Sequence, residues 1–136
     1  MRGRAELVRR MGDLSRLERA ASSAIAAQAS ESADALARQM DGARVIAREN
    51  TGADFFTTFD VDSDRLLVGL RSPVGDVGAI EDGLKYGMGL LLWIKGGKIH
   101  QLEGCSNAGE DTSGLDFARI EFQNVEARRP PTPVRR

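Results

Sequence analysis

The stretch that decides the fold is LLLWIKGGKIHQL, residues 90–102. Two runs suited to β-strands flank Gly96 and Gly97, and adjacent glycines can adopt the positive φ angles that a tight hairpin turn requires. The sequence therefore predicts that residues 90–94 pair antiparallel with residues 99–102. The first arm is apolar at every position, which predicts a central strand covered on both faces. The second arm mixes polar and apolar residues, and we expect it to lie nearer the surface.

Further strand-like runs lie on both sides of this hairpin. Residues 43–48, 55–59 and 66–70 are short apolar-rich runs separated by Gly, Asp, Asn or Ser, which favours successive antiparallel strands. Residues 117–122 alternate between two faces and predict a final strand.

The N-terminal third has the periodicity of helices. Apolar residues recur there at spacings of three and four: Leu7, Met11, Leu14, Leu17, Ala21 and Ile25. The pair Gly12-Asp13 predicts a joint, with Asp13 capping a helix that begins at Leu14.

A second helix is predicted after Ser32, which would cap it, and it would end at Asp41-Gly42. The combined pattern predicts an α+β fold, in which N-terminal helices pack on one face of a curved antiparallel sheet with a C-terminal hairpin.

Length and composition set the domain limits. A chain of 136 residues with 41% apolar and 29% charged residues fits one globular domain. We expect this domain to span residues 11–126, between a flexible basic N-terminus, residues 1–10, and a disordered Arg/Pro-rich tail, residues 127–136.

Several classes of protein are disfavoured. The longest apolar run, residues 90–94, is far below the roughly 20 residues that cross a bilayer, and no secretory signal pattern is present, so we expect a soluble cytoplasmic protein without membrane contact. The single Cys105 and single His100 predict no internal disulfide, no metal site of the usual kind and no cofactor.

Two motifs come close to functional patterns without matching them. Asp60, Asp62 and Asp64 have the alternate spacing that opens a calcium loop, but Arg65 and Arg71 occupy the positions where that loop needs Gly and Glu. The glycines of residues 83–89 precede a strand, whereas a phosphate loop leads into a helix. We interpret both segments as turns.

Catalysis by a nucleophilic cysteine is also disfavoured. His100 and Cys105 would have to lie within hydrogen-bond reach. Their separation along one strand places them on opposite faces and roughly 16 Å apart. The interpretation is a surface histidine, an inert buried thiol and a protein that is not an enzyme.

The charge is distributed unevenly along the chain. Residues 49–121 carry thirteen acidic and six basic groups, whereas residues 1–48 carry nine basic and six acidic groups and residues 122–136 carry four basic and one acidic. The basic N-terminal residues are interspersed with acids, and aromatic residues make up only 5% of the chain, so nucleic-acid binding is unlikely on this pattern.

Several separated motifs carry a resemblance to a known family. They are TGADFFTTF at residues 51–59, GLKYGMG at residues 83–89 and the stretch from residue 90 that ends in LEG at residues 102–104. In this order they resemble a family of small uncharacterised bacterial proteins, over residues 35–122. The resemblance implies a short helical segment followed by a curved antiparallel sheet, and no activity. The chain departs from the family after Gly104, where an aromatic-rich stretch usually follows.

Proteins of this size and style are loosely similar to immunity partners of secreted bacterial toxins. A basic toxin would be neutralised through an acidic face. The candidate partner-binding residues are Asp60, Asp62, Asp64, Glu81, Asp82, Glu103, Glu110 and Asp111. The alternatives are that these carboxylates are spread evenly, that the chain is a small-molecule-binding module, or that it is an enzyme of unrecognised class.

Overall fold

The computed structural model describes residues 12–62 and 65–128. Two helices come first: α1 (Arg16–Ala27) and, after a 3-10 turn (Ser30–Ser32), α2 (Ala33–Asp41). Six strands follow: β1 (Ala43–Asn50), β2 (Asp54–Val61), β3 (Val74–Glu81), β4 (Met88–Lys95), β5 (Lys98–Ser106) and β6 (Phe122–Ala127). They form one sheet in the order β1-β2-β5-β4-β3-β6, and every neighbouring pair is antiparallel. The predicted α+β class is confirmed.

The β4–β5 hairpin is confirmed. Leu92 pairs with Leu102 across it, and Gly96 and Gly97 adopt φ angles of 61° and 77° in the turn. β4 lies between β5 and β3, as expected of a central strand. The prediction that both of its faces are covered is wrong, because the helices cover one face and Trp93 on the other is 37% exposed. The prediction that the second arm lies nearer the surface is wrong, because β2 pairs with the outer edge of β5 and Ile99 and Leu102 are buried.

Two of the three earlier strands are found, and the third is not. Residues 43–48 and 55–59 lie within β1 and β2, whereas residues 66–70 form a loop. The reason is a contact with the hairpin turn, since the backbone N–H of Leu67 donates to the carbonyl of Gly97 at 2.7 Å. Leu67 is buried by this contact while Val68 is exposed, so the loop covers one end of the sheet.

The strand that replaces it, β3, was not predicted because two glycines interrupt it. Gly75 has a φ angle of 87°, and a Cβ there would collide with the side chain of Ile25 on α1. The glycine lets the helix approach the sheet closely.

The final strand was predicted too early. Residues 117–120 form a turn, and β6 begins only at Phe122. The Phe117 ring stacks on Phe55 at 4.2 Å between centroids, so its side chain fills the core from a loop. The alternation in residues 117–122 therefore reflects this loop packing and not a strand.

The cap of the first helix lies two residues after the predicted one. Ser15, not Asp13, precedes α1: its hydroxyl accepts from the N–H of Glu18, and the Glu18 carboxylate accepts from the N–H of Ser15. This reciprocal pair is a capping box. Leu7 and Met11 lie outside the described residues.

The second helix has the predicted limits. Ser32 precedes it but makes no side-chain capping bond, and it ends at Asp41 with Gly42 as cap. β6 runs to Ala127, one residue past the predicted domain end at 126. Residues 1–10 and most of the predicted tail lie outside the described part of the chain.

Both helices pack on the same face of the sheet, as predicted. α1 contacts β3, β4 and β6, and α2 contacts β5. The core between them contains Leu17, Ile25 and Leu36 from the helices, with Leu90 and Leu92 from β4. No helix in the described residues is long and apolar enough to cross a membrane.

Candidate functional site: the open face of the sheet

The helices leave the opposite face of the sheet uncovered. Alternation along the strands assigns side chains to the two faces, because successive residues of a strand point in opposite directions. On β2, for example, Phe55 and Thr57 are buried towards the helices, whereas Phe56 is partly exposed. We call the uncovered surface the open face. It is formed by the outward residues of the neighbouring strands β2, β5 and β4: Asp54, Phe56, Thr58, Leu91, Trp93, Gln101, Glu103 and Cys105.

A connected polar group lies in the middle of the open face. The indole Nε1–H of Trp93 donates to the Glu103 carboxylate at 2.8 Å, and the Cys105 thiol donates to the other Glu103 oxygen at 3.2 Å. Asp54 stands directly opposite Cys105 on the neighbouring strand. The Trp93 bond fixes the orientation of the Glu103 carboxylate.

The electrostatics of this group make Cys105 a poor nucleophile. Burial, followed by the hydrogen bond to Glu103 and the charges of Glu103 and Asp54, raises the pKa of the Cys105 thiol to about 12. With this pKa the thiol is protonated at neutral pH, whereas the thiolate is the reactive form of cysteine. The prediction of a buried thiol is wrong, since Cys105 is only partly buried.

The same residues form the one cluster of metal-ligand type found in the described residues. A carboxylate oxygen of Asp54, a carboxylate oxygen of Glu103 and the sulfur of Cys105 all lie within 4.8 Å of one another. Two carboxylates and a thiolate could hold a divalent cation such as Zn²⁺. Their own hydrogen bonds already account for the geometry, so the arrangement does not require an ion.

Exposed apolar side chains surround the polar group. Trp93 is 37% exposed. Glu103 has Phe56 of β2 as its neighbour on one side and Leu91 of β4 on the other. The side chains of Phe56 and Leu91 are partly exposed. The open face therefore combines aromatic and aliphatic surface with carboxylates.

Arg128 lies across the β3–β4 side of this face. A Cβ at Gly78 or Gly89 would collide with its side chain, so these two paired glycines make room for it. Its guanidinium bonds Asn107 at 3.0 Å and pairs with Asp76 at 3.2 Å. This basic group is thereby neutralised within the chain.

The carboxylates at the centre of the face have no such partners. At the β1 edge Arg44 pairs with Asp60 at 3.6 Å. Among the residues that the structure describes, neither Asp54 nor Glu103 forms an ion pair with a basic side chain. The centre of the open face is thus negatively charged.

The eight acids predicted as one face occupy several places. Glu103 lies on the open face, and Asp60 lies beside Arg44 towards the β1 edge of the sheet. Asp62 follows β2 at the end of the sheet that holds the Gly96-Gly97 turn. Asp64 lies outside the described residues. The three acids Asp82, Glu110 and Asp111 lie in the loops at the opposite end.

Three of these acids have structural surroundings that account for an acidic residue at the position without a binding partner. Glu81 is 1% exposed, so its carboxyl adds almost nothing to the outer surface of the protein. The backbone N–H groups of Tyr86 and Lys85 donate to Glu110 at 3.0 Å and 2.9 Å and lower its pKa. Asp111 accepts from the N–H of Ser113, which likewise lowers its pKa.

His100 takes no part in the polar group. A bulge in the β4–β5 pairing falls at His100, since Trp93 pairs with Gln101 and Ile94 pairs with Ile99. Within the described chain no hydrogen bond joins His100 to Cys105, whose thiol bonds Glu103.

Sequence reasoning missed Asp54, Phe56, Trp93 and Cys105 as members of one site. The period of two along β5 placed Glu103 and Cys105 on one face and was an available signal. The pairing of β2 with β5 joins residues more than 40 positions apart, and no signal in the sequence indicated it.

No family model, no curated protein and no solved structure matches this chain.

Proposed function

We propose that this chain is a protein-binding domain that docks a basic partner on its open face. The observation that carries the proposal is the pair of unneutralised carboxylates, Asp54 and Glu103, beside the exposed ring of Trp93. Protein interfaces are enriched in aromatic anchors, and a tryptophan surrounded by polar groups is a frequent centre of binding energy. The negative charge selects a partner with Lys or Arg at the contact.

The biological use that we propose is immunity-like neutralisation of a basic bacterial toxin. A nuclease that grips phosphate is basic, and an acidic surface speeds its capture at low ionic strength. The small size of the chain and the acidic balance of residues 49–121 support this use. The protonated state of the Cys105 thiol supports binding over nucleophilic catalysis.

The experiment is capture of a partner from extract of the source organism, followed by association kinetics with that partner after purification. Replacement of both Asp54 and Glu103 by Lys should slow association by about tenfold or more at low salt. Trp93→Ala should mainly speed dissociation, because it removes buried contact area.

The matched control is the double substitution Glu31→Lys with Asp41→Lys, which changes the charge equally on the helix side. It should leave the association rate nearly unchanged. If no basic protein is captured, or if both double variants slow association alike, the open face is not the docking surface.

A second candidate, a small-molecule-binding module, is favoured by the groove between α1 and α2. This groove has a volume of about 440 Å³ and is lined by Leu14, Ala26, Met40 and Ser22, among others. Ser22 is buried, and its hydroxyl has no hydrogen-bond partner in the described part of the chain. A metabolite screen by thermal shift tests this candidate, and Ser22→Ala should remove any stabilisation by a ligand that uses this hydroxyl.

A further inference from the structure

A second site lies at the end of β3, away from the centre of the open face. A pocket of about 480 Å³ opens there between the end of β3, the loop that follows it and the start of β6. Its lining includes three acidic residues, Glu81, Asp82 and Glu121, and the ring of Phe122. Its lining within residues 12–62 and 65–128 contains no basic side chain.

Glu81 sets this pocket apart from a surface cluster of acids. Its side chain is 1% exposed, and neither carboxyl oxygen has a hydrogen-bond partner among the residues that the structure describes. The N–H groups of Glu81 itself and Met88 lie near enough to lower its pKa, but neither makes a hydrogen bond. A buried carboxyl without a partner is costly, since hydration is lost and nothing replaces it.

The pocket rim already receives a guanidinium from the chain itself. Arg16, at the start of α1, bonds Glu121 at 3.4 Å, and its guanidinium carbon lies 5.9 Å from the centre of the Phe122 ring. The Arg16 side chain is 78% exposed, so this ion pair is weak and easily displaced. It does not reach Glu81.

We propose that this pocket binds a guanidinium group, with Glu81 as the buried counter-ion, Asp82 and Glu121 as rim carboxylates and Phe122 as the stacking surface. A guanidinium offers five N–H donors in one plane, which suits a bidentate contact with a carboxylate and a stacked contact with a ring. The group could belong to a small molecule or to an arginine side chain of a peptide. The proposal does not depend on the function of the open face.

Binding should depend on pH because the counter-ion is protonated in the empty pocket. Burial is the main cause that raises the pKa of Glu81 to about 8. A bound cation favours the ionised carboxylate, so binding expels a proton and weakens as the pH falls below 8. The charged groups that line the same pocket are Asp82 after β3 and Glu121 before β6, and Arg16 from α1 pairs with Glu121 at its rim. β4 contributes only the neutral Met88.

The test is an NMR titration of the isotopically labelled chain with three probes. N-acetylarginine amide presents the guanidinium as a peptide does, and agmatine presents it on a free small molecule. N-acetylcitrulline amide has nearly the same shape without the charge. We expect shifts at Gly83, Leu84 and Phe122, and at least tenfold weaker binding of the citrulline probe at pH 8.5.

Two further comparisons identify the counter-ion. Glu81→Gln should weaken binding of the guanidinium probes at least tenfold, whereas Asp62→Asn, at the other end of the sheet, should not change it. In the unsubstituted chain, affinity should fall several-fold between pH 8.5 and pH 6.5. Preference for agmatine over the arginine amide identifies a small-molecule ligand, and the reverse identifies a peptide.

The proposal is overturned if the citrulline probe binds as tightly as the arginine probe, or if shifts lie outside the pocket. The probe comparison needs no variant, so it stands even if Glu81→Gln fails to fold. Loss of guanidinium binding would leave docking on the open face unaffected, because the two sites share none of the residues proposed to bind.

Discussion

Glu18 of α1 and Arg48 of β1 form a two-point ion pair, with Nε–Oε2 and Nη2–Oε1 distances of 2.8 Å and 2.9 Å. The Glu18 side chain is fully buried, and its carboxylate also accepts from the Thr57 hydroxyl at 2.6 Å and from the Ser15 N–H. One carboxylate therefore caps α1 and ties it to β1 and β2.

Glu18→Ala should be among the most destabilising single substitutions. It leaves the largely buried Arg48 and the buried Thr57 hydroxyl without their partner, and loss of one member of a buried pair costs about 3–5 kcal/mol. Urea unfolding measures this cost. Arg16→Ala breaks an exposed pair and should change the free energy of unfolding by less than about 1 kcal/mol. Equal effects of the two would show that the Glu18 network does not hold the helix to the sheet.

Gly75→Ala should destabilise the fold for two separable reasons. The φ angle of 87° is unfavourable for a side chain, and the new methyl would collide with Ile25. Gly109 has a φ angle of 68° with open space around it, so Gly109→Ala measures the conformational cost alone. We expect Gly75→Ala to cost at least about 1 kcal/mol more than the control in urea unfolding. Matching costs would mean that α1 does not depend on close contact at this glycine.

The free energy of unfolding should fall as the pH rises because of Glu81. Its pKa is about 8 in the folded chain and 4.5 as an ordinary glutamate, so between these values the folded state binds the extra proton. The contribution is complete below pH 4.5 and lost above pH 8, with a slope of at most about 1.4 kcal/mol per pH unit.

Urea unfolding from pH 5 to pH 8 measures this dependence. Glu81→Gln has no titrating group at the position, and subtracting its curve from that of the unsubstituted chain cancels all other ionisations. The difference should change steadily with pH. A constant difference would mean that Glu81 is ionised in the folded protein.

Cys105 should react very slowly with iodoacetamide at pH 8 in the folded chain. With a pKa of about 12, the thiolate population is on the order of a thousandfold below that of an ordinary cysteine. The chain unfolded in urea provides the reference rate. Glu103→Gln removes a charge and a charged acceptor from the thiol, so it should lower the thiol pKa and speed alkylation. A folded-state rate close to the unfolded one would contradict the proposed environment of the thiol.

Features governed by neighbouring residues were predictable from the sequence. The Gly96-Gly97 turn fixed the β4–β5 hairpin, because positive φ angles are a local requirement of the turn. The spacing of apolar residues likewise predicted helices before the sheet, and Gly42 marked the end of α2. Errors of local origin were small, such as the cap at Ser15 in place of Asp13.

What the tertiary structure alone decided is which strands meet and which side chains each meeting buries. β3 forms despite its glycines because Ile25 of α1 fills the space at Gly75, and Phe117 leaves the predicted last strand because Phe55 offers its ring a partner. The pairing of β2 with β5 brings Asp54 beside Cys105 and Glu103 on the open face. The Glu81 carboxyl is isolated because the fold encloses the end of β3. Turn chemistry and periodicity act over a few residues, whereas burial and charge pairing depend on contacts between residues far apart in the chain.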